Sequence, residues 1–399
     1  MTETKYLQRA PLLNPTQHVL GYKLAWQNQE KGGETPAGVN VRQLLSLVAE
    51  RPGKSESNLW FLDAGPEVLS AEILKSLIPT NTVLMLTRDE MVNESTMPLV
   101  MSLRERGFGV ALGGPDLGFL ESDECLLPLL THVEICVDHP DLAAISSHVK
   151  LTQPQYSVVV KKFSDWHEFD ACAALGLSGF FGNLCLTPRK INLSGELGLQ
   201  TVLILQLMQM VQENADVRDL EKMLKHDATL SYKLFRYINS ASFGMQVEIE
   251  SLRHAVSMLG YTPLYRWLSL LLVMTNTAGF SPALLQAAII RGRFAELLGK
   301  GLLSRSEAEN LFVVGMFSML EQLLGLPLQQ VLRQISLPEA VEKALLSRDG
   351  VYGPFLALVE ACEREDGCAS DYAEALFMTD TRVNQAHLAA LDWAQSIKI

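Results

Sequence analysis

The chain has 399 residues, 48% of them hydrophobic and 20% charged, with a formal net charge of −12. These values fit a soluble globular chain with room for two or three domains and sizeable cores. The acidic balance, with no basic tail and no lysine-arginine run, argues against sequence-independent nucleic-acid binding, which rests on phosphate neutralisation.

The N-terminus, MTETKYLQRA, carries no apolar signal region. The longest uncharged apolar run, Leu268 to Met274, is far too short to span a membrane. Cysteines at 125, 136, 172, 185, 362 and 368 form no CxxC pair and sit mostly in apolar surroundings, as expected of reduced thiols in a cytoplasmic protein.

In chain order, Leu12-Leu13 and Val19 to Trp26 flank an Asn-Pro-Thr-Gln turn and read as a hairpin. Strands are expected at Leu59–Leu62, Thr82–Leu86, Gly109–Leu112, His132–Val137, Ser157–Val160 and Phe180–Leu184. Helix-period stretches lie between them, at Pro66–Leu77, Thr96–Arg106, Leu117–Leu127, Pro140–Val149 and Asp165–Leu175. Such alternation argues for parallel βα units. Gly113-Gly114-Pro115 reads as a tight turn, without the spacing or the following basic residue of a phosphate loop.

From Lys190 onward strand signals nearly vanish. Arg189 to Gly195 is a plausible linker. Asp227 then stands just before an apolar stripe, Leu230, Leu234, Phe235 and Ile238, and is placed to cap that helix. Ser251 starts a second helix with Leu252, Ala255, Val256 and Leu259 on one face; Gly260 ends it, and Thr262-Pro263 open a third. Further helices are expected at Pro282–Leu298, Glu307–Leu324, Leu328–Ile335, Glu339–Leu346, Pro354–Arg364 and Arg382–Ile397.

The run Asp227-x-x-Leu230, Lys233-Leu234, Asn239-Ser240-Ala241, Ile249, Ala255 and Leu259-Gly260 resembles the core of the HDOD domain, a bacterial signalling domain related to HD phosphohydrolases. The motif positions are Asp227, Leu230, Lys233, Asn239, Ser240 and Gly260, with structural or interaction roles. His226-Asp227 looks like the metal-ligand pair of a true HD hydrolase. Such a site needs a further upstream histidine, and none occurs from Asn192 to Lys225. The simpler reading is a capping aspartate preceded by a surface histidine. Gly315 to Leu320, followed by Leu326-Pro327-Leu328, resembles the C-terminal half seen where HDOD follows an EAL-like domain.

Residues from about Leu7 to Pro188 resemble the EAL domain, a TIM-like barrel that hydrolyses cyclic di-GMP. The landmarks are Pro11, Gly21-Tyr22, Arg106 to Leu112, Leu175-Gly176 and Gly182 to Pro188. The segment is shorter than a full EAL domain, which leaves room for reduced or absent barrel elements. The resemblance implies metal ligands and a phosphate-gripping arginine. The signature glutamate falls at Lys23 and the arginine at Gln27. A metal-ligand asparagine falls at Asp63, a glutamate at Met85, and the paired aspartates at Gly113 and Gly114. The family lysine and aspartate of the next strand fall at Glu134 and Cys136. A later glutamate falls at Ser164 and a glutamine at Phe181. Hard divalent cations need several oxygen ligands at once, so these positions read as vestigial.

The expectation is therefore an α/β barrel domain over 1–190 followed by an all-α HDOD domain over 191–399. The chain is expected to be a non-enzymatic signalling scaffold with no metal and no cofactor. Its expected partners are other signalling proteins, two-component or cyclic-dinucleotide regulators, with self-association possible and no membrane or nucleic acid. The alternatives are a cyclic di-GMP phosphodiesterase or a non-hydrolysing cyclic di-GMP sensor. Elsewhere no Gly-x-Ser-x-Gly elbow occurs. Trp166-His167-Glu168 reads as a solvated helix face and His254 as a packed or half-exposed residue. Met208, Met210, Met258, Met274, Met316 and Met319 read as core filling. Arg291, Arg293 and Glu296 read as a charged surface or inter-helix ion pair, with partner contact the sharper alternative.

Overall fold

The computed structural model describes residues 5–27, 37–50, 58–70, 72–93, 95–122, 125–187, 198–224, 227, 230, 232, 251–275, 281–333, 337–364 and 369–397. The chain divides into two compact units, one running to Thr187 and the other starting at Pro188.

The first unit is a closed eight-stranded barrel: β1 Leu7–Leu13, β2 Val19–Trp26, β3 Leu59–Asp63, β4 Thr82–Thr87, β5 Gly109–Gly113, β6 His132–Cys136, β7 Ser157–Lys161 and β8 Gly179–Phe181. Strands β2 to β8 run parallel to their successive neighbours, whereas β1 is antiparallel to both β2 and β8. The reversal is local chemistry. Asn14 Oδ1 accepts the His18 backbone N–H at 2.9 Å, and Gln17 adopts a left-handed φ of 63°. A side-chain amide that bonds nearby backbone tightens such a turn.

Alternate residues point into the barrel, as the two-residue pleat requires. Leu12, Phe61, Val83, Met85, Ala111, Val159 and Phe181 form the interior core. Phe61 meets Phe181 and His132 edge-on, with ring centroids 5.0 and 4.9 Å apart. The outward set, including Trp60, Leu62, Leu84, Leu112, Ile135 and Val160, is also buried. Burial on both faces explains the near-continuous apolar runs of these strands. At Gly21 the chain needs a glycine: an added Cβ would stand 2.3 Å from the Leu59 carbonyl oxygen on β3.

The connecting helices are α1 Ala37–Ala49, α2 Pro66–Leu69, α3 Arg88–Val92, α4 Met97–Glu105, α5 Leu117–Ser122, α6 Leu142–Thr152 and α7 Trp166–Ala174. All eight strands are present, and the reduction expected from the short segment falls mainly on the helices, with β8 cut to Gly179–Phe181. The Pro66–Leu77 stretch holds only α2 and a 3₁₀ turn at Glu72–Ser76, and β8 gives way to a 3₁₀ turn at Asn183–Leu186. Barrel closure needs every strand, whereas a covering helix can shorten without opening an edge.

The second unit is helical: α8 Leu199–Gln212, α9 Val217–Leu224, α10 Leu252–Leu259, α11 Tyr261–Thr275, α12 Pro282–Gly299, α13 Arg305–Phe317, α14 Leu320–Leu324, α15 Leu328–Leu332, α16 Glu339–Ser347, α17 Gly353–Glu363, α18 Ala369–Ala375 and α19 Asp380–Ser396. The expected Glu307–Leu324 helix is two helices, α13 and α14, separated at Ser318-Met319. Helix α12 is buried around nearly its whole circumference, its charged Arg291 and Glu296 included, the mark of a central helix. It crosses α13 through facing glycines. A Cβ on Gly315 would lie 2.7 Å from Arg291 O and from Gly292 Cα.

Arg291 and Glu296 are buried rather than on a charged surface, and the inter-helix pairing is what the fold uses. Arg291 donates to Glu363 Oε2 through Nη2 at 2.6 Å and to Ser318 Oγ through Nη1 at 2.8 Å. Glu296 accepts a two-pronged pair from Arg266 at 2.9 and 2.8 Å. The Arg266 guanidinium also lies 4.0 Å over the Phe312 ring. Met208, Met274, Met316 and Met319 fill the core. Among the described residues no helix is long and apolar enough to cross a membrane.

Candidate functional site

The C-terminal ends of the parallel strands open into a cavity of about 590 Å³. In barrels of this kind that mouth is where chemistry is placed, because loops and strand ends converge there. Lys23, Asp63, Met85, Thr87, Glu90, Gly113, Gly114, Glu134 and Lys161 are among the residues lining it. Each charged strand residue follows from the inward alternation. Asp63 continues the Leu59, Phe61 face of β3, Glu134 shares a face with His132, and Lys161 shares one with Val159. Gly113 and Gly114 keep the space open: the nearest atoms to an added Cβ at Gly113 are 3.8 and 4.0 Å away, and none lies within 4 Å at Gly114.

Glu134 is the buried centre of the charges, with 4% of its side chain exposed. Lys23 Nζ donates to Glu134 Oε1 at 3.1 Å and stands 3.4 Å from Asp63 Oδ1. Lys161 Nζ donates to the other oxygen, Glu134 Oε2. Burial by itself would pull the Lys23 pKa down, but the charges of Asp63 and Glu134 and their hydrogen bonds outweigh it, so the value rises above the ordinary lysine range. Lys23 is therefore cationic throughout the neutral range. Glu90 lines the rim but is engaged as the partner in a capping box, accepting from Thr87 N at 2.7 Å and Thr87 Oγ1 at 2.8 Å.

Six of the ten vestigial positions thus meet in one cavity: Lys23, Asp63, Met85, Gly113, Gly114 and Glu134. Gln27, Cys136, Ser164 and Phe181 are not among its lining residues. Gln27 is buried, with its backbone N–H donating to Tyr6 O. Ser164 is exposed, and its N–H donates to Glu168 Oε2. Phe181 belongs to the apolar interior. Lys161 escaped the sequence reading. A lysine ending the apolar run Val158–Val160 at a strand terminus is the signal that points to it.

The oxygens around the mouth do not fit a divalent ion. An ammonium already lies between the Asp63 and Glu134 carboxylates, and a second one holds the remaining Glu134 oxygen. Among the described residues no group of three or more His, Cys, Asp and Glu is arranged to hold a metal.

In the helical unit Asp227 Oδ1 accepts the Leu230 N–H at 2.9 Å, the capping geometry expected from its position, and Oδ2 accepts from Gln200 Nε2 at 2.7 Å. Leu230 is fully buried. Gly260 ends α10 with a φ of 83°. His226, Lys233, Asn239, Ser240 and the 189–195 linker lie outside the described residues.

Residues 198–340 match the model of the HDOD domain. Over 99% of this chain and 93% of its own length, the cyclic di-GMP phosphodiesterase CdgJ of Vibrio cholerae is 27% identical. The uncharacterized protein YuxH of Bacillus subtilis is 20% identical over 98% of both chains. Among solved structures, the chain is similar to the manganese/cy-diGMP complex of Klebsiella pneumoniae BlrP1, over 46% of this chain and 55% of that one, with 15% identity and a TM-score of 0.37. It is also similar to an EAL domain protein of Listeria monocytogenes EGD-e, over 45% of this chain and 87% of that one, with 14% identity and a TM-score of 0.35.

The expectation that the chain is not an enzyme does not stand. It rested on reading each lost carboxylate as lost chemistry, and the Vibrio cholerae relative, matched over nearly the whole chain, is named a phosphodiesterase. The helical region matches the HDOD domain at residues 198–340, a closed eight-stranded barrel precedes it, and this order fits the two-domain EAL-HDOD arrangement expected from the sequence.

Proposed function

We propose that this chain is a phosphodiesterase of cyclic di-GMP signalling, and that the barrel mouth binds and opens the cyclic dinucleotide. The observation that carries the reading is the pairing of two ammonium groups, Lys23 and Lys161, with two carboxylates, Asp63 and Glu134, in one cavity at the strand ends. The Vibrio cholerae relative supports it through its name and near-full-length match.

The roles follow from exposure and charge. Lys161 and Lys23 face a phosphodiester with positive charge fixed in advance, which favours the more highly charged transition state. Asp63 has 58% of its side chain exposed at the rim, where water reaches it. It accepts a proton as the water oxygen attacks phosphorus. The bond from phosphorus to one sugar oxygen breaks, and Lys161 gives that oxygen a proton. One water is consumed and a linear dinucleotide leaves. Glu134 holds both lysines in place from below. No step runs through a divalent ion, because the side chains present do not fit one.

The test is chromatography of cyclic di-GMP incubated with the full-length protein. Linear product is expected, with Asp63→Asn and Lys161→Met each slowing its formation by roughly 10²-fold or more. Absence of linear product from the unaltered protein, with or without added magnesium or manganese, would refute the reading.

A further inference from the structure

Lys23 does more than remove a carboxylate from the barrel mouth. Its Nζ sits 3.1 Å from Glu134 Oε1 on β6 and 3.4 Å from Asp63 Oδ1 on β3, with 21% of the side chain exposed. That is the position a cation would take to join the two carboxylates. Glu134 has no oxygen left over, since Lys161 Nζ holds Oε2. Glu90, the remaining carboxylate on the cavity wall, has its Oε2 held by the Thr87 backbone N–H and hydroxyl. A hard divalent ion needs six or more oxygens, waters included, and here the place between the Asp63 and Glu134 carboxylates is already taken by the Lys23 ammonium.

We propose that Lys23 acts as a tethered cation in place of a divalent ion, so that the mouth handles a phosphodiester without metal. This rests on the reading that the mouth receives a cyclic dinucleotide, and it adds that turnover needs no added ion. The fixed ammonium carries one charge where a dication would carry two, and Lys161 supplies the second. Both are delivered by strands, from β2 and β7, so no ion has to be recruited before substrate binds.

Two measurements on the full-length protein decide it. In the first, free Mn²⁺ is followed by electron paramagnetic resonance as protein is added. The unaltered protein should leave the signal unchanged, whereas Lys23→Glu, which removes the ammonium and adds oxygen ligands, should take up one Mn²⁺ per chain. Uptake of one Mn²⁺ by the unaltered protein that is lost in Asp63→Ala overturns the proposal. So does a folded Lys23→Glu protein that takes up none. If Lys23→Glu does not fold, Lys23→Ser is titrated in the same way with the same two outcomes.

In the second, linear product is measured in excess EDTA and in excess MnCl₂. Rates within about twofold of each other support the proposal, since the metal activation of water and phosphate that it dispenses with is worth far more than that. A tenfold or larger loss in EDTA overturns the proposal while leaving the phosphodiesterase reading intact. If no product forms under either condition, the phosphodiesterase reading fails, and the Mn²⁺ titration still decides what Lys23 does.

Discussion

Lys23 and Glu134, separated by 111 positions in the chain, meet at 3.1 Å inside the barrel. Glu134 is the acceptor for both lysines of the mouth, so its removal leaves two ammonium groups facing each other across a half-buried space. Glu134→Ala is expected to lower stability by about 3 kcal/mol, the usual cost of breaking a buried pair on one side. Urea unfolding followed by circular dichroism measures it. A midpoint unchanged from the unaltered protein would mean that solvent screens the lysines.

His132 gives the barrel a pH dependence. Burial, with Arg104 nearby as a second cause, lowers its pKa from 6.5 to about 4. The ring packs edge-on against Phe61, so the folded state holds it neutral. Because the unfolded chain binds the proton more readily, stability is full above about pH 6.5 and falls as the pH drops toward 4, by up to about 3 kcal/mol. His132→Phe should flatten that part of the profile. Denaturant midpoints at pH 7 and pH 4.5 for the two proteins check this.

The α12–α13 crossing permits no added methyl group. Gly315→Ala places a carbon 2.7 Å from Arg291 O and Gly292 Cα, both backbone atoms that cannot rotate aside. The helices must separate, at a cost of roughly 1–3 kcal/mol. Gly113→Ala serves as the contrast, since its nearest neighbours would be 3.8 and 4.0 Å away. Thermal melting should show a clear drop for the first and little change for the second.

Arg291→Met takes the guanidinium away from the Glu363 carboxylate in the helical core, where only 4% of its side chain reaches solvent. A loss of about 3–5 kcal/mol is expected, and the double change Arg291→Met with Glu363→Leu should recover part of it, because the buried carboxylate that lost its guanidinium is then gone. A double-mutant cycle in urea separates the two terms.

The barrel strands were readable because burial on both faces writes unbroken apolar runs such as Trp60-Phe61-Leu62. Helix α1 was not. It has no acidic residue in its first turn, and Gly38 and the β-branched Val39 and Val41 weaken its helix propensity. Strand β8 is shorter than expected because Gly179 and Gly182 bound its ordered part. In the site, the positions of Lys23, Asp63 and Glu134 could be anticipated one by one. Their mutual pairing could not, because it depends on register. Lys161 stands opposite Cys136 on β6, which brings its ammonium to Glu134, and no local pattern encodes that offset. The charge reversal at Lys23 was legible only as a loss. Its compensation by two carboxylates from other strands needed the third dimension.

The reversed first strand carries a consequence for how the protein is made. Strand β1 meets β8 over only two residue pairs, Leu12 with Phe181 and Leu13 with Phe180. The ribosome delivers one half of that seam first and the other after nearly the whole unit has emerged. A nascent chain stopped before Phe180 leaves a hydrophobic edge unzipped, so ring closure waits for the last strand, the slow non-local step of this fold.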